Sequence, residues 1–375
     1  MSAAARSHKK QRSKNHHHKN NTQNKRKSQE TKRYRGRRDQ FKNLTVRQGR
    51  IRYRRQPGVT PKTISTILAK QILSSDAAAE RLPKTPTDSK AACVRMRVPR
   101  QHAANCWLNA AVMSFFVSTG MHASTRLLQE VMIDPPQRIP HQLRSELRQL
   151  ALIIRSVPLG ILPPKYSTEQ LIPTLNAADK AGLTTPSNRL GAPTGQAHNP
   201  VWFFTALSTL LHPHNFEIGR VDLTRDDGKP HNDLIAALRD GKRMNGHGAT
   251  GGSPQVLLIE AGQESAGTRP RLELAEVISQ ARSSVLAFGR KWKLDSMIIL
   301  DTGDSHFGGV VTCGGLPQTY DGMTGALLHP KESWPQVMKQ LVNRPIPTPS
   351  RQEFRYDVQT GYTVFAFVPS AGVQR

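Results

Sequence analysis

Three residues spread along the 375-residue chain, Cys106, His306 and Asp321, carry the groups needed for nucleophilic hydrolysis. A thiol attacks well once an imidazole can take its proton, and a carboxylate that orients the imidazole completes the arrangement. Cys106 lies in Gln101-His-Ala-Ala-Asn105-Cys106-Trp107-Leu108-Asn109-Ala110. Beyond it Trp107, Leu108, Ala111, Val112, Phe115 and Phe116 repeat with the period of a buried helical face. A cysteine in the first turn of such a helix feels the positive end of the helix dipole, which favours the thiolate. The ordinary alternative is a small hydrophobe packed beside Trp107. His306 opens Ser305-His306-Phe307-Gly308-Gly309, and Asp321 sits in Tyr320-Asp321-Gly322, with the turn Gly314-Gly315-Leu316-Pro317 between them. A histidine heading one strand and an aspartate ending the next lie side by side in a hairpin, although glycines beside a histidine commonly mark only a turn.

The elements that must position these groups are legible as patterns. Helices are expected near Cys106, over 141–156 with the stripe Leu143, Leu147, Leu150, Ile153 and Ile154, over 168–178, and from Val201 to Leu211. His212-Pro213-His214 is expected to end that last helix. A Pro/Gly/Asn-rich stretch over 183–200 and five glycines within 241–252 read as loops. The period then turns strand-like in Gln255–Glu260, Ser296–Asp301, Gly309–Cys313 and Thr363–Val368. Helices first and antiparallel strands later describe an α+β fold. No internal repeat is present.

Charge divides the chain. Lys and Arg number 54 against 27 Asp and Glu, a net +27. Residues 1–57 hold 20 of the basic side chains against only Glu30 and Asp39, a net +18, which leaves +9 for the other 318 residues. The segment is low-complexity, includes His16-His17-His18, and cannot bury enough apolar surface to order itself, so a disordered basic tail is expected. Arg33-Tyr34-Arg35-Gly36-Arg37-Arg38 and Arg50-Ile51-Arg52-Tyr53-Arg54-Arg55 suit binding to nucleic acid or another polyanion, and such runs also serve as nuclear addresses. Thr60, Pro61, Ile64, Ile67, Leu68 and Ile72 predict a short helix before a linker. The expected organisation is a tail over 1–57, a helix and linker over 58–99, and one domain over 100–370.

Several classes are set aside. Three cysteines, Cys93, Cys106 and Cys313, make no disulfide framework and no four-thiolate zinc site, and they argue for a reducing, intracellular compartment. Cys313 is expected to be buried rather than reactive. No run of 18 apolar residues is present, so no membrane span is expected, and the basic N-terminus lacks the apolar core of a secretory signal. Asp226-Asp227-Gly228-Lys229-Pro230-His231-Asn232-Asp233 collects potential ligands without calcium or zinc spacing, and no phosphate-cradling Gly-Lys-Ser/Thr sequence occurs. No metal or other cofactor is expected.

Together the Cys106 and His306 blocks resemble papain-like cysteine peptidases, and among them the ubiquitin-specific protease type of deubiquitinase. Asn105-Cys106-Trp107-Leu108-Asn109 is similar to the second half of that family's Asn-x-Gly-x-Thr-Cys-Tyr-x-Asn block. Trp292–Leu300, His306-Phe307, Tyr320-Asp321-Gly322 and the strand Gly361–Phe367 follow the order of its histidine block and final strand. The resemblance implies a papain-like α+β fold, helical in the N-terminal half and sheet in the C-terminal half, with the site in the cleft between. It implies Cys106 as nucleophile, His306 as general base and then acid, Asp321 as orienting carboxylate, and ubiquitin or a ubiquitin-like conjugate as substrate. The family's oxyanion-hole Asn, five residues before the cysteine, is Gln101 here, and a side-chain amide at that position can donate to a developing oxyanion. Ala103 and Ala104 replace the family's Gly and Thr, and its zinc-binding fingers are missing. Compact viral members with a basic tail are similar, which makes a viral origin plausible.

Asn105-Cys106-Trp107-Leu108 is also similar to the cysteine block of ovarian-tumour-type deubiquitinases, but that family's Asp is Ala103 here and it has no Tyr-Asp-Gly after its histidine. The SUMO-protease type is excluded because its histidine precedes its cysteine. A reading from another class is an inactive, peptidase-like basic protein that binds nucleic acid or serves as a virion structural component.

Overall fold

Val256-Leu257-Leu258-Ile259 is apolar without a break, as a strand buried on both faces requires. In the structure, a computed structural model, this run lies inside a sheet with a hydrophobic core on each side. The described residues are 45–47, 50–52, 93 and 96–370, with interruptions at 102–104, 161, 163–166, 186–187, 193–197, 215, 245–252, 281–283, 305, 324–325, 331–332, 344–345 and 348–354.

The chain divides into two units, residues 1–64 and 65–375. In the first, β1 (Thr45–Arg47) and β2 (Arg50–Arg52) form an antiparallel hairpin with Val46 opposite Ile51. This is regular structure inside a segment expected to have none. The rest of 1–57 and the helix expected from Thr60 lie outside the described residues.

The second unit opens with helices. α1 (Cys106–Val112) runs into a π-helical turn, Met113–Val117, and is followed by α2 (Thr119–Ser124) and α3 (Arg126–Ile133). α4 (His141–Leu159) carries the expected stripe, every member of it buried, and stops at Gly160 in the left-handed conformation. A 3-10 turn, Thr168–Leu171, leads into α5 (Ile172–Lys180). α6 (Pro200–Leu211) starts where the Asn199 side chain accepts the N–H groups of Val201 and Trp202, and it ends at His212 with φ 50°.

The sheet comprises β3 (Ile218–Asp222), β4 (Lys242–Met244), β5 (Val256–Ala261), β6 (Ser284–Ala287), β7 (Arg290–Leu300), β8 (Phe307–Cys313), β9 (Leu316–Asp321), β10 (Ala326–Pro330) and β13 (Thr363–Pro369). Its order is β10-β9-β8-β7-β13-β5-β3-β4, with β6 also paired to β7. A two-stranded pair, β11 (Ile346–Pro347) with β12 (Arg355–Tyr356), stands apart from it. β3 and β5 pair in parallel, so the sheet is mixed rather than wholly antiparallel. The crossover between them contains α7 (Leu234–Arg239) and β4, a strand within the stretch read as a glycine loop.

Alternation along the strands explains the two cores. Val256, Leu258, Ile298, Val364 and Ala366 face α1 and the other early helices. Leu257, Ile259, Met297, Ile299, Phe365 and Phe367 face the opposite core with α7, α8 (Arg269–Ser279) and α9 (Trp334–Asn343). These last three helices were not anticipated in a C-terminal half read as strands. α7 is a short six-residue helix, whereas α9 carries the full stripe Trp334, Val337, Met338 and Leu341, a helical signal that the strand-like runs around it obscured.

The cysteine expectation is corrected. Cys93 and Cys313 form a disulfide across 220 residues, with their Cα atoms 5.9 Å apart. Sequence distance concealed the pair, because only the folded chain brings the segment before α1 to the end of β8. Cys106 remains a free, buried thiol. Among the described residues no helix is long and apolar enough to cross a membrane.

Candidate active site

The first turn of α1 is held from outside. Asn105 does not cap the helix through its side chain. Its Nδ2 instead donates to Ser167 Oγ and Thr168 Oγ1, both at 3.1 Å, and Thr168 Oγ1 donates to Asn109 Oδ1 at 2.7 Å. The two asparagines flanking Cys106 are thereby tied to the 3-10 turn before α5, and Cys106 itself is only 3% exposed. Trp107 packs edge-on against His198 and Phe203, with ring centroids 4.9 and 5.7 Å away.

Strand register supplies the other half. β8 and β9 are joined by Gly314 and Gly315, with φ of 59° and 77°. A two-residue hairpin turn of this kind needs positive φ at both positions, which glycine adopts without strain. Gly308 then pairs with Asp321. His306 lies two residues before Gly308, so its side chain and that of Asp321 leave the same face at the same end of the hairpin. The approach to β8 is locked by Asp301, whose N–H donates to His306 O at 3.0 Å while its Oδ1 accepts the His306 N–H at 3.3 Å.

His306 Nε2 and Asp321 Oδ1 are 2.8 Å apart, both groups are buried, and Asp321 Oδ1 also accepts the Met323 N–H at 2.8 Å. Cys106 lies near enough to the His306 ring to add to the upward pull on its pKa. With Nε2 engaged by the carboxylate, Nδ1 is the nitrogen left for sulfur. Burial alone lowers the His306 pKa, but the bond to Asp321 and then the nearby Cys106 overcome it and raise the value to about 9. The structure therefore brings Cys106, His306 and Asp321 together, with His306 hydrogen-bonded to Asp321 and Cys106 within interaction range of the ring. Gln101 stands beside it: its N–H donates to Gly322 O at 3.0 Å, immediately after Asp321.

A cavity of about 670 Å³ opens beside Phe307, the residue after His306, and is lined also by His198, Tyr362, Glu260 and Glu264. Glu260 forms its polar wall, accepting from Asn199 at 2.8 Å and pairing with Arg220 at 2.7 Å. The ligand-rich loop of 226–233 borders the same cavity through Asp226, and its carboxylates are held in ion pairs, Asp226 with Lys242 at 2.9 Å and Asp227 with Arg225 at 3.0 Å. No group of three metal-ligating side chains occurs among the described residues.

Sequence reasoning missed Asp301, Thr168 and Tyr356. Tyr356 is buried, and burial together with Asp321 and Asp301 holds its hydroxyl well above the usual phenol range. No spacing rule links these positions to Cys106. Asn105 and Asn109 were visible in the cysteine block but without a partner.

No protein-family model matches the chain, and no curated protein matches it. Among solved structures, the chain is similar to a SAGA DUB module of Ubp8, Sgf11, Sus1 and Sgf73 bound to monoubiquitin, at 10% identity over 84% of this chain and 76% of that one, with a TM-score of 0.29. A yeast SAGA DUB module matches at 11% identity over the same shares, with a TM-score of 0.31. A further SAGA Ubp8, Sgf11, Sus1 and Sgf73 module matches at 11% over 84% and 76%, with a TM-score of 0.35.

Proposed function

We propose that the domain over 100–370 is a papain-like cysteine peptidase that cleaves the peptide or isopeptide bond at the C-terminus of ubiquitin or a ubiquitin-like protein. The observation that carries this reading is the meeting of Cys106, His306 and Asp321, whose His306–Asp321 contact is 2.8 Å. Cys106 gives its thiol proton to His306, and Sγ attacks the scissile carbonyl carbon, forming the C–S bond as the carbonyl electrons move to oxygen. Gln101 donates to that oxyanion. The tetrahedral adduct collapses with cleavage of the C–N bond, and the imidazolium of His306 gives its proton to the departing amine. His306 then takes a proton from water, whose oxygen attacks the thioester and releases Cys106. Asp321 keeps the ring turned toward sulfur throughout. The choice of ubiquitin rests on the cysteine and histidine blocks.

A ubiquitin probe with a C-terminal electrophile tests the reading. Wild type is expected to form the covalent adduct and Cys106→Ala to form none. Adducts with neither ubiquitin nor any related tag, in a folded wild-type protein, would leave the inactive, polyanion-binding alternative as the better description. Nucleic-acid binding by residues 1–57 is a separate proposal, carried by the net +18 of 20 basic against two acidic side chains.

A further inference from the structure

Around Gly322, directly after the carboxylate that orients His306, three buried polar atoms have no hydrogen-bond partner among the described residues: Gln101 Oε1, Asn109 Nδ2 and Tyr320 Oη. Two of them meet at one point, and the Gln101 side chain runs beside it. A Cβ placed on Gly322 would stand 3.0 Å from Tyr320 Oη, 3.3 Å from Asn109 Nδ2 and 3.5 Å from Gln101 Cβ. Asn109 and Tyr320 are fully buried, so neither can turn to solvent for a partner. The orientation of the Asn109 amide is set by Thr168, which donates to Oδ1 and leaves Nδ2 facing Gly322. A hydroxyl and an amide N–H thus border the space beside the Gln101 side chain, whose buried carboxamide oxygen is the kind of acceptor both donors lack.

We propose that Tyr320 and Asn109 are positioning residues that hold the Gln101 carboxamide by its carbonyl oxygen, so that its NH2 group is presented to the acyl oxygen of the substrate. This rests on the hydrolase reading and deepens it by explaining how a flexible glutamine becomes a fixed donor. An oxyanion donor is effective only when its orientation is settled before charge develops. Catalytic hydrogen bonds that are open in a free enzyme commonly close in the substrate complex. Burial, followed by Asp321 and Cys106, keeps the Tyr320 hydroxyl well above the usual phenol range, so it stays a donor wherever the enzyme works. The absence of a side chain at Gly322 keeps the space clear.

The test uses the full chain with Tyr320→Phe, which retains the buried ring, and Gly322→Ala as a second variant that fills the space. With a ubiquitin C-terminal aminocoumarin amide, each is expected to lose about tenfold in kcat, with KM within about twofold, since an oriented donor acts on the transition state. Affinity for ubiquitin C-terminal aldehyde, whose adduct carries the oxyanion, falls by the same factor. Tyr320→Phe has no further effect in a Gln101→Ala background, because both act through one amide. Unchanged kcat in folded Tyr320→Phe, or an additive loss in the Gln101→Ala background, would overturn the proposal. A readout without turnover separates this from the function itself. With selective 15N-glutamine labelling, the Gln101 side-chain resonances are expected to shift in Tyr320→Phe. Were wild type inert toward all substrates, the hydrolase reading would fail; the Tyr320–Gln101 contact would still stand or fall on that shift.

Discussion

His306 holds its proton more tightly than a free imidazole, and this has consequences on both sides of neutrality. Its folded pKa is raised from 6.5 to about 9 by Asp321 and Cys106 against the pull of burial. A group with a raised folded pKa contributes stability that is fully present below its unfolded pKa and is lost as pH rises through the folded value. The difference in unfolding free energy between wild type and His306→Ala is therefore expected to be constant below pH 6.5 and to shrink between pH 6.5 and about 9, as urea titrations can show. In the proposed mechanism the same proton serves the leaving amine, so kcat/KM is expected to decline on an alkaline limb near pH 9. Asp321→Asn removes the carboxylate charge and moves that limb to lower pH. A limb that stayed in place would mean that Asp321 does not govern His306. Cys106, His306 and Asp321 all stood out in the sequence by type and order. The Tyr320 hydroxyl had no visible task there, because its neighbours, Asn109 and Gln101, come from 200 residues earlier.

The hairpin of β8 and β9 acts as a rigid calliper between histidine and aspartate. Both of its turn residues have positive φ, so Gly315→Val introduces a side chain that disfavours that conformation by roughly 1–2 kcal/mol. A lower Tm and a reduced kcat are expected together, since a shifted turn displaces Asp321 from His306; a normal kcat at lower Tm would show that the register survives without the turn. The pin on α1 makes a second test. Thr168→Val keeps the shape but removes the donor to Asn109 Oδ1, leaving a buried acceptor unpaired at a cost of roughly 1–3 kcal/mol. Denaturant unfolding should register that loss. The two-glycine turn and the helix after Cys106 were readable from local pattern, and so was the buried strand Val256–Ala261. The parallel pairing of β3 with β5 was not, because a strand's own residues do not encode the direction of its neighbour.

At the scale of the whole molecule, the Cys93–Cys313 disulfide ties the segment leading to Gln101 and α1 to the strand that begins after His306. Closing a loop of 220 residues restricts the unfolded chain strongly, and its removal commonly costs about 2–5 kcal/mol. Cys313→Ala, or wild type in dithiol reductant, is expected to show that decrease by chemical denaturation, with Cys106 left intact as the reactive thiol. Equal stability with and without reductant would show that the bond does not form in the protein as made. The basic segment belongs to this scale too. A protein starting at residue 58 is expected to lose most polyanion binding and nuclear accumulation while retaining probe labelling, because the remaining 318 residues carry only +9. For the full chain, affinity should fall steeply with salt, by roughly 0.9 in log–log slope per phosphate contact on duplex DNA. Undiminished binding by the shorter protein would place the polyanion site on the folded body.

What the amino-acid order determined by itself was local or periodic: the helical face after Cys106, the stripe of α4, the glycine turn between the histidine and aspartate strands, and the concentration of charge in residues 1–57. Each depends on backbone preferences or side-chain periods that repeat over a few residues, so a short window contains the whole signal. Tertiary structure alone decided the Cys93–Cys313 bond, the grip of Ser167 and Thr168 on the asparagines around Cys106, the burial of Tyr356, and the gathering of Gln101, Asn109 and Tyr320 about Gly322. These contacts join residues separated by dozens to hundreds of positions. Their geometry arises from sheet register and from packing on two faces of one sheet, which no local spacing records.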